Sequence, residues 1–321
     1  MCALNESLYY SKNLVAIQTT VPNAPSNYLI DPMSKILSQK VKIALIQLSG
    51  SSADKQANLQ RAAQFVDRAM SEQPETRIVV LPECFNSPYN VDKFREYAEV
   101  ISAQKMSQSV SFLSQLASKH KITLFGGSIP EIDPATDKLY NTALIFNETG
   151  ALIDTHRKVH LFDVDIPNGI TFKESTTLSP GSKETTVPTP FGHVGVGICY
   201  DMRFPELAMI SARKYNSFAM IYPSAFNTVT GPVHWHLLAR ARSVDNQFYT
   251  ILCSPARNMD SNYHAYGHSL VCDPRGNIVA EAGEGEEILH AELDPQAIDD
   301  FRMSVPLYKQ RRFDVYPDVS K

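Results

Sequence analysis

HVGVGICYDMRFPELAMISARKY, residues 193–215, holds the reading that decides the fold. Its apolar opening, HVGVGI, reads as a buried strand that stops abruptly at Cys199. Two acids, an arginine and a proline crowd in behind the cysteine. Pro205 suits a first helical turn and opens the helix ELAMISARKY. Strand, tight turn and helix in immediate succession predict a layered α/β unit, with helices covering a sheet.

The same alternation extends in both directions. Upstream, VKIALIQL reads as a strand, ADKQANLQRAAQFVDRAMSEQ as an amphipathic helix with an acidic opening, and RIVVLPECF as a strand broken by Pro82. VSFLSQLASKHK predicts a helix, ITLFGGSI a strand, and LYNTALIFNETGALIDTHRKVHL a hairpin turning at NETG. The Ser-, Thr-, Pro- and Gly-rich stretch Thr171 to Thr189 reads as a loop. Downstream come strand FAMIYPSA, helix HWHLLARARSVDNQ, strand FYTILCSPA and hairpin HSLVCDPRGNIVAEAG. With no break in composition and no internal repeat, one domain is expected over 40–304. A flexible N-terminal extension, 1–39, precedes it and a C-terminal tail, 305–321, follows.

The chain has 321 residues, 43% hydrophobic and 20% charged, enough for a large core. A formal net charge of −4 provides no basic field for nucleic acid or an anionic membrane, and neither partner is expected. No apolar run approaches the ~18 residues of a membrane span. The five cysteines, Cys2, Cys84, Cys199, Cys253 and Cys272, are odd in number, widely spaced and without a C-x-x-C pair. They predict free thiols in a reducing compartment, the cytoplasm. The polar, proline-punctuated first 32 residues lack the arginines of a mitochondrial presequence and the apolar stretch of a secretory signal. Starts at Met1 or Met33 leave a mitochondrial pool open.

Cys199 has two readings. A thiol after an apolar strand is ordinarily core. At a sharp strand-to-helix turn it can instead be a nucleophile, with the backbone N–H of Tyr200 facing a developing oxyanion. A thiol with a pKa near 8.5 then needs a base or a cation. Two histidine clusters, His234 with His236 and His264 with His268, offer a Cys–His dyad, and the second has i, i+4 spacing that a metal could use on a helix. Gly267 and the aromatics around it argue against a helix there. Glu83, just after VVLP, and Lys158, just after a hairpin strand, share the strand-end character of Cys199. Each alone reads as a surface charge; together they point to one crevice at the ends of strands. Cys84 beside Glu83 is expected to face the core, because neighbours on an extended segment point opposite ways. Trp235 reads as packing, and EAGEGEE (281–287) as an acidic turn at a solvated hairpin edge.

The motifs LPECFNSPY, GGSIPE, HRKVHLFDVDIP, GITFKESTTLSPG, GVGICYDMRFPELA and YPSAFNTVTGPVHWHLLARARSVDNQFY occur in the order seen in the nitrilase superfamily of carbon–nitrogen hydrolases. The chain resembles its ω-amidase branch, the fungal type above all, from about Lys40 to Val319. The resemblance implies a four-layer α-β-β-α sandwich, a Glu83–Lys158–Cys199 triad and a second glutamate at Glu174. It implies hydrolysis of small 2-oxo acid amides, α-ketoglutaramate and α-ketosuccinamate, through a cysteine thioester without metal or organic cofactor. It also implies homodimers, with the C-terminal tail a candidate for their interface. A longer amide such as deaminated glutathione, and a non-catalytic scaffold, are the competing readings. A substrate carboxylate calls for a fixed cation, for which Arg203 is the candidate, its alternative being a salt bridge to Glu206 or across a subunit interface. Tyr89, Phe226 and Thr228 are candidate pocket walls.

Overall fold

The computed structural model describes residues 35–49, 52–102, 106–165, 171–261 and 263–318. Most of the extension expected over 1–39 lies outside these residues. Its last part, 35–39, packs on the core: Leu37 is buried and the Ser38 N–H donates to the Phe191 carbonyl at 2.9 Å.

The strands are β1 (Val41–Gln47), β2 (Thr76–Val80), β3 (Thr123–Asp133), β4 (Lys138–Phe146), β5 (Leu152–Arg157), β6 (Asp163–Asp165) and β7 (Thr171–Lys173). They continue with β8 (Thr185–Thr189), β9 (Gly192–Val196), β10 (Ala219–Pro223), β11 (Tyr249–Cys253), β12 (Leu270–Cys272), β13 (Ile278–Glu281) and β14 (Glu287–Leu293). The helices are α1 (Lys55–Glu72), α2 (Phe94–Tyr97), α3 (Gln108–His120), α4 (Pro205–Tyr215), α5 (Gly231–Asn246), α6 (Pro295–Ser304) and α7 (Leu307–Gln310).

Two six-stranded sheets form, in the orders β14-β1-β2-β3-β4-β5 and β13-β12-β11-β10-β9-β8. Each has a parallel centre, β1-β2-β3 or β9-β10-β11, flanked by antiparallel strands. A strand buried on both faces reads as a continuous apolar run, and β1 divides its side chains accordingly. Val41, Ile43 and Leu45 join the core between the sheets, with Val194, Val196 and Ile251 of the second sheet. Ala44 and Ile46 turn outward onto Leu59, Ala62 and Val66 of α1 and Val110 and Leu113 of α3. On the far side α4 and α5 contribute Ala208, Ala212, Trp235 and Ala239. The order helix, sheet, sheet, helix is the expected four-layer sandwich.

Local chemistry explains the helix ends. The Asp54 carboxylate caps α1 by accepting from the Ala57 N–H at 3.0 Å, and Pro205 starts α4. Both expected hairpins form, β4 with β5 and β12 with β13. The stretch expected as a loop from Thr171 to Thr189 instead contains β7 and β8. Pro188 is tolerated because β8 lies at the edge of its sheet. EAGEGEE is a crossing between the sheets, from β13 to β14, rather than a hairpin edge. The Gln47 amide donates to the Gly283 and Gly285 carbonyls inside it. Trp235 is fully buried, its indole N–H donating to the His268 carbonyl at 2.7 Å. No helix among the described residues is long and apolar enough to cross a membrane.

The sheets are tied together at the ends where their central strands finish. The Ala256 N–H, after β11, donates to the Leu48 carbonyl, after β1, at 2.7 Å. Inside β3 a bulge at Gly126–Gly127 lets the chain leaving β2 come close. Gly127 has φ +62, and a Cβ there would sit 2.1 Å from the Pro82 carbonyl oxygen. Only glycine satisfies both conditions. Gly127→Ala is therefore expected to cost at least about 2 kcal/mol in a urea melt and to displace the segment that carries Glu83.

Candidate active site

Glu83 follows β2, Lys158 follows β5 and Cys199 follows β9, so three strand ends deliver three side chains to one place. The bulge fastens the first. The Ser128 N–H donates to the Pro82 carbonyl at 3.3 Å and Ser128 Oγ accepts from the Cys84 N–H at 3.1 Å. Cys84 itself has φ +49, so it is not on an extended segment; it still points into a separate apolar cluster with Phe94, Leu139 and Leu178. Lys158 is pinned at both backbone groups, its N–H donating to the Asn141 carbonyl and its carbonyl accepting from the Gly181 N–H, each at 2.8 Å.

The Lys158 ammonium lies 3.2 Å from Glu83 Oε1 and 2.9 Å from Glu174 Oε1, and none of the three side chains reaches solvent. Every carboxylate oxygen has a donor. Glu83 Oε1 also accepts from the Asn141 amide at 2.9 Å, and its Oε2 from the Ala225 N–H at 2.8 Å. Glu174 Oε1 accepts from the Tyr89 hydroxyl at 2.7 Å and Oε2 from the Phe162 N–H at 2.7 Å. The Cys199 thiol is buried beside these groups, where the charges of Glu83, Lys158 and Glu174 act on it. Cys199 has φ +46 and opens a 3-10 turn, Cys199–Arg203. As the second residue of that turn, Tyr200 has a backbone N–H without a partner inside it.

Two carboxylates share one cation, and this sets the proton affinities. Burial, aided by the negative charge of Glu174, pushes the Glu83 carboxyl up despite Lys158. Burial would lower Lys158, but Glu174 and Glu83 hold its ammonium well above the usual lysine range. Burial and the charge of Glu83 push the Cys199 thiol well up, with Lys158 opposing. The site thus sets a neutral thiol beside a fixed cation and a carboxyl of raised proton affinity.

The remaining expected residues divide around this centre. Arg203 and Phe226 line a cavity of about 10 Å³ with Cys199 and Tyr200. The Arg203 guanidinium hydrogen-bonds His234 Nδ1 at 3.2 Å and lies over the rings of Phe226 and Tyr200. Its Nε is buried without a partner among the described residues, and the alternative salt bridge to Glu206 does not form. Tyr89 and Thr228 line an adjoining open cavity of about 760 Å³, which shares Phe162 and Tyr263 with the inner one.

The histidine clusters divide, and none of their four residues lines the inner cavity with Cys199; His234 reaches it only through Arg203. His268 Nδ1 and His236 Nε2 both bond Glu281 Oε1, at 3.0 and 2.8 Å, and His264 lines the outer cavity. The segment is not helical, with φ of +75 at Gly267 and +57 at His268. Among the described residues no three His, Cys, Asp or Glu side chains gather as a metal-binding group. The described cysteines, Cys84, Cys199, Cys253 and Cys272, are free and buried.

Sequence reasoning missed Asn141, Tyr263 and a triplet of buried Asp201 and His156 with half-buried His160. The triplet left a signal. His156 and His160 flank Lys158 at two-residue spacing, one face of an extended segment, and Asp201 follows Cys199 by two.

Two stacked sheets carrying a buried carboxylate, ammonium and thiol at their strand ends define a cysteine-centred α-β-β-α sandwich. A family model described as carbon-nitrogen hydrolase matches residues 42–303, and the chain belongs to that family. It is 74% identical over 287 residues to the Saccharomyces cerevisiae omega-amidase NIT3, covering 89% of this chain and 98% of that protein. It is 49% identical over 280 residues to the Mus musculus omega-amidase NIT2, covering 87% and 98%. The crystal structure of S. cerevisiae Nit3, a member of branch 10 of the nitrilase superfamily, matches with a TM-score of 0.82 and 70% identity, covering 87% of this chain and 99% of that one.

Lys158→Met would leave two buried carboxylates facing each other without a cation. It is expected to destabilise the fold by about 3–5 kcal/mol at neutral pH. The loss should shrink at mildly acidic pH, because Glu83, whose folded pKa is raised, takes up a proton there and the repulsion ends. Urea denaturation at two pH values measures both effects.

Proposed function

We propose that the protein is an ω-amidase, hydrolysing the terminal amide of α-ketoglutaramate and α-ketosuccinamate to the 2-oxo dicarboxylic acid and ammonia. The observation that carries this reading is the Lys158 ammonium held between Glu83 and Glu174 beside the Cys199 thiol.

The chemistry follows from those positions. Cys199 Sγ attacks the amide carbon while Glu83, buried beside the thiol, takes its proton. The carbonyl oxygen becomes an oxyanion, stabilised by the Lys158 ammonium and the Tyr200 N–H. Glu83 returns the proton to the nitrogen, the C–N bond breaks and ammonia leaves a thioester. Water then attacks the thioester, giving its proton to Glu83; the C–S bond breaks and the proton returns to sulfur. A base held above the ordinary carboxylate range suits both transfers better than an ordinary glutamate. Glu174 orients Lys158, and Tyr89 orients Glu174. No step calls for a metal or an organic cofactor.

Arg203 binds the substrate carboxylate. Its guanidinium shares the inner cavity with the thiol and has no carboxylate of its own among the described residues. Phe226 forms the wall beneath it, and Thr228 belongs to the entrance. Because the inner cavity holds only about one water, substrate entry displaces side chains there. The exposed Phe313, Val315 and Tyr316 of the C-terminal tail support a homodimer, and free buried cysteines suit the cytoplasm.

Ammonia release from α-ketoglutaramate tests the mechanism. Cys199→Ala is expected to abolish it, and Glu83→Gln to lower kcat about 10³-fold. In the wild type, kcat/KM should rise with pH through a group above the usual 4.5 of a glutamate, since the unprotonated base is the active form. That limb should vanish in Glu83→Gln; turnover surviving in Cys199→Ala sinks the nucleophile. A greater kcat/KM for deaminated glutathione would assign the protein to the longer-substrate reading.

Arg203 has its own test. Arg203→Met should lower kcat/KM for the 2-oxo acid amide about 10–100-fold and leave its neutral ester nearly unaffected. Equal losses on both would remove Arg203 from carboxylate binding.

A further inference from the structure

One carboxylate reaches both halves of the site without touching the cavity. Asp201 is fully buried, and both of its oxygens are occupied. Oδ2 accepts from the Ile198 N–H at 2.9 Å and bonds His156 Nε2 at 3.0 Å. Oδ1 accepts from the His160 N–H at 2.9 Å and bonds His160 Nδ1 at 2.8 Å. Ile198 immediately precedes Cys199, and His156 and His160 bracket Lys158. We propose that Asp201, with His156 and His160, is a positioning device that holds the Lys158 ammonium in register with the Cys199 sulfur.

Lys158 has anchors of its own, Asn141 and Gly181 at its backbone and Glu83 and Glu174 at its ammonium, but none of them belongs to the Cys199–Arg203 turn. Cys199 sits at φ +46, a conformation that costs about 1–3 kcal/mol for a residue with a side chain and persists only where its surroundings over-determine it. Asp201 supplies that constraint by folding back onto the Ile198 N–H from inside the same turn. Lys158 has a long side chain, so where its ammonium meets Glu83 and Glu174 also depends on where its backbone is held. The two flanking histidines anchor that backbone to the turn of the nucleophile, across a distance no local hydrogen bond spans. His156 Nδ1 is in turn fixed by Thr185 Oγ1 at 3.0 Å, on β8. The outer face of His160 stacks on Phe204, with ring centroids 3.6 Å apart. The side chains of His156 and His160, with the Ile198 and His160 N–H groups, satisfy the Asp201 charge and hold its carboxyl well below the usual range despite burial. A charge buried and satisfied in this way is costly to disturb, and its partners are therefore fixed in place.

This assignment rests on the thioester reading, and the test separates the two. Asp201→Asn keeps the size of the side chain but cannot accept four donors. Its kcat for α-ketoglutaramate should fall about 10²-fold, the scale of a misplacement of about 1 Å, with KM little changed. Iodoacetamide alkylation of Cys199 against pH is the second readout and needs no substrate. If Lys158 moves away, the midpoint shifts up; mere loss of the Asp201 charge would shift it down. Thr185→Val removes the partner of His156 Nδ1 together with the longer hydrogen bond to the Thr155 carbonyl at 3.4 Å, introduces no charge, and should move both readouts the same way by a smaller factor. It decides the matter if Asp201→Asn does not fold. A variant that melts earlier while keeping wild-type kcat and the wild-type alkylation midpoint overturns the proposal. A loss confined to KM overturns it as well. A wild type that shows Lys158-dependent alkylation but hydrolyses no amide would instead end the amidase reading and leave this positioning role standing.

Discussion

The site depends on one unequal partition of charge: a single lysine ammonium between two buried glutamates. In water such an arrangement would be unremarkable. With no solvent reaching any of the three side chains, the missing positive charge cannot be supplied from outside. The shortfall appears as proton affinity. Glu83 is driven toward its protonated form, Lys158 is locked in its charged form, and the thiol beside them stays neutral. A carboxyl of raised proton affinity, next to a cation that holds its own proton tightly, follows from burial and stoichiometry.

That partition requires the fold to supply every other hydrogen bond the carboxylates need. Asn141 from β4 and the Ala225 N–H after β10 serve Glu83, while Tyr89 and the Phe162 N–H serve Glu174. These donors come from both sheets and from the loops between them. An unpaired buried charge would cost several kcal/mol, so the packing of the two sheets and the chemistry of the site are not separable. The tie between Ala256 and Leu48 and the bulge at Gly127 stand at that end of the sandwich for the same reason.

Much of the architecture was legible along the chain because each strand and helix announces itself locally. The apolar run of β1, the Pro205 that opens α4 and the NETG turn before β5 need no knowledge of distant residues. The failures are equally physical. Pro188 argued against a strand because its consequence depends on whether β8 lies at an edge, which no local pattern encodes. EAGEGEE looked like a hairpin because a crossing between sheets uses the same turn residues. Cys84 was placed in the core by assuming an extended backbone, whereas its φ of +49 reaches that core by another route.

The same division holds within the site. The identities of Glu83, Lys158 and Cys199 as strand-end residues, and of Glu174 by resemblance, were readable in the amino acids, because a strand that stops at a reactive side chain is a local event. Residue order could not say which charges surround the thiol: His236 and His268 are bonded to Glu281, and the carboxylate acting on the thiol, Glu83, lies more than a hundred residues upstream. Nor could it say that Asp201 binds both sides of Lys158, or that Arg203 has no acid of its own. Those facts belong to tertiary structure, since proton affinity and hydrogen bonding in a dry interior depend on which groups are brought within about 3 Å, and the chain places such neighbours far apart in sequence.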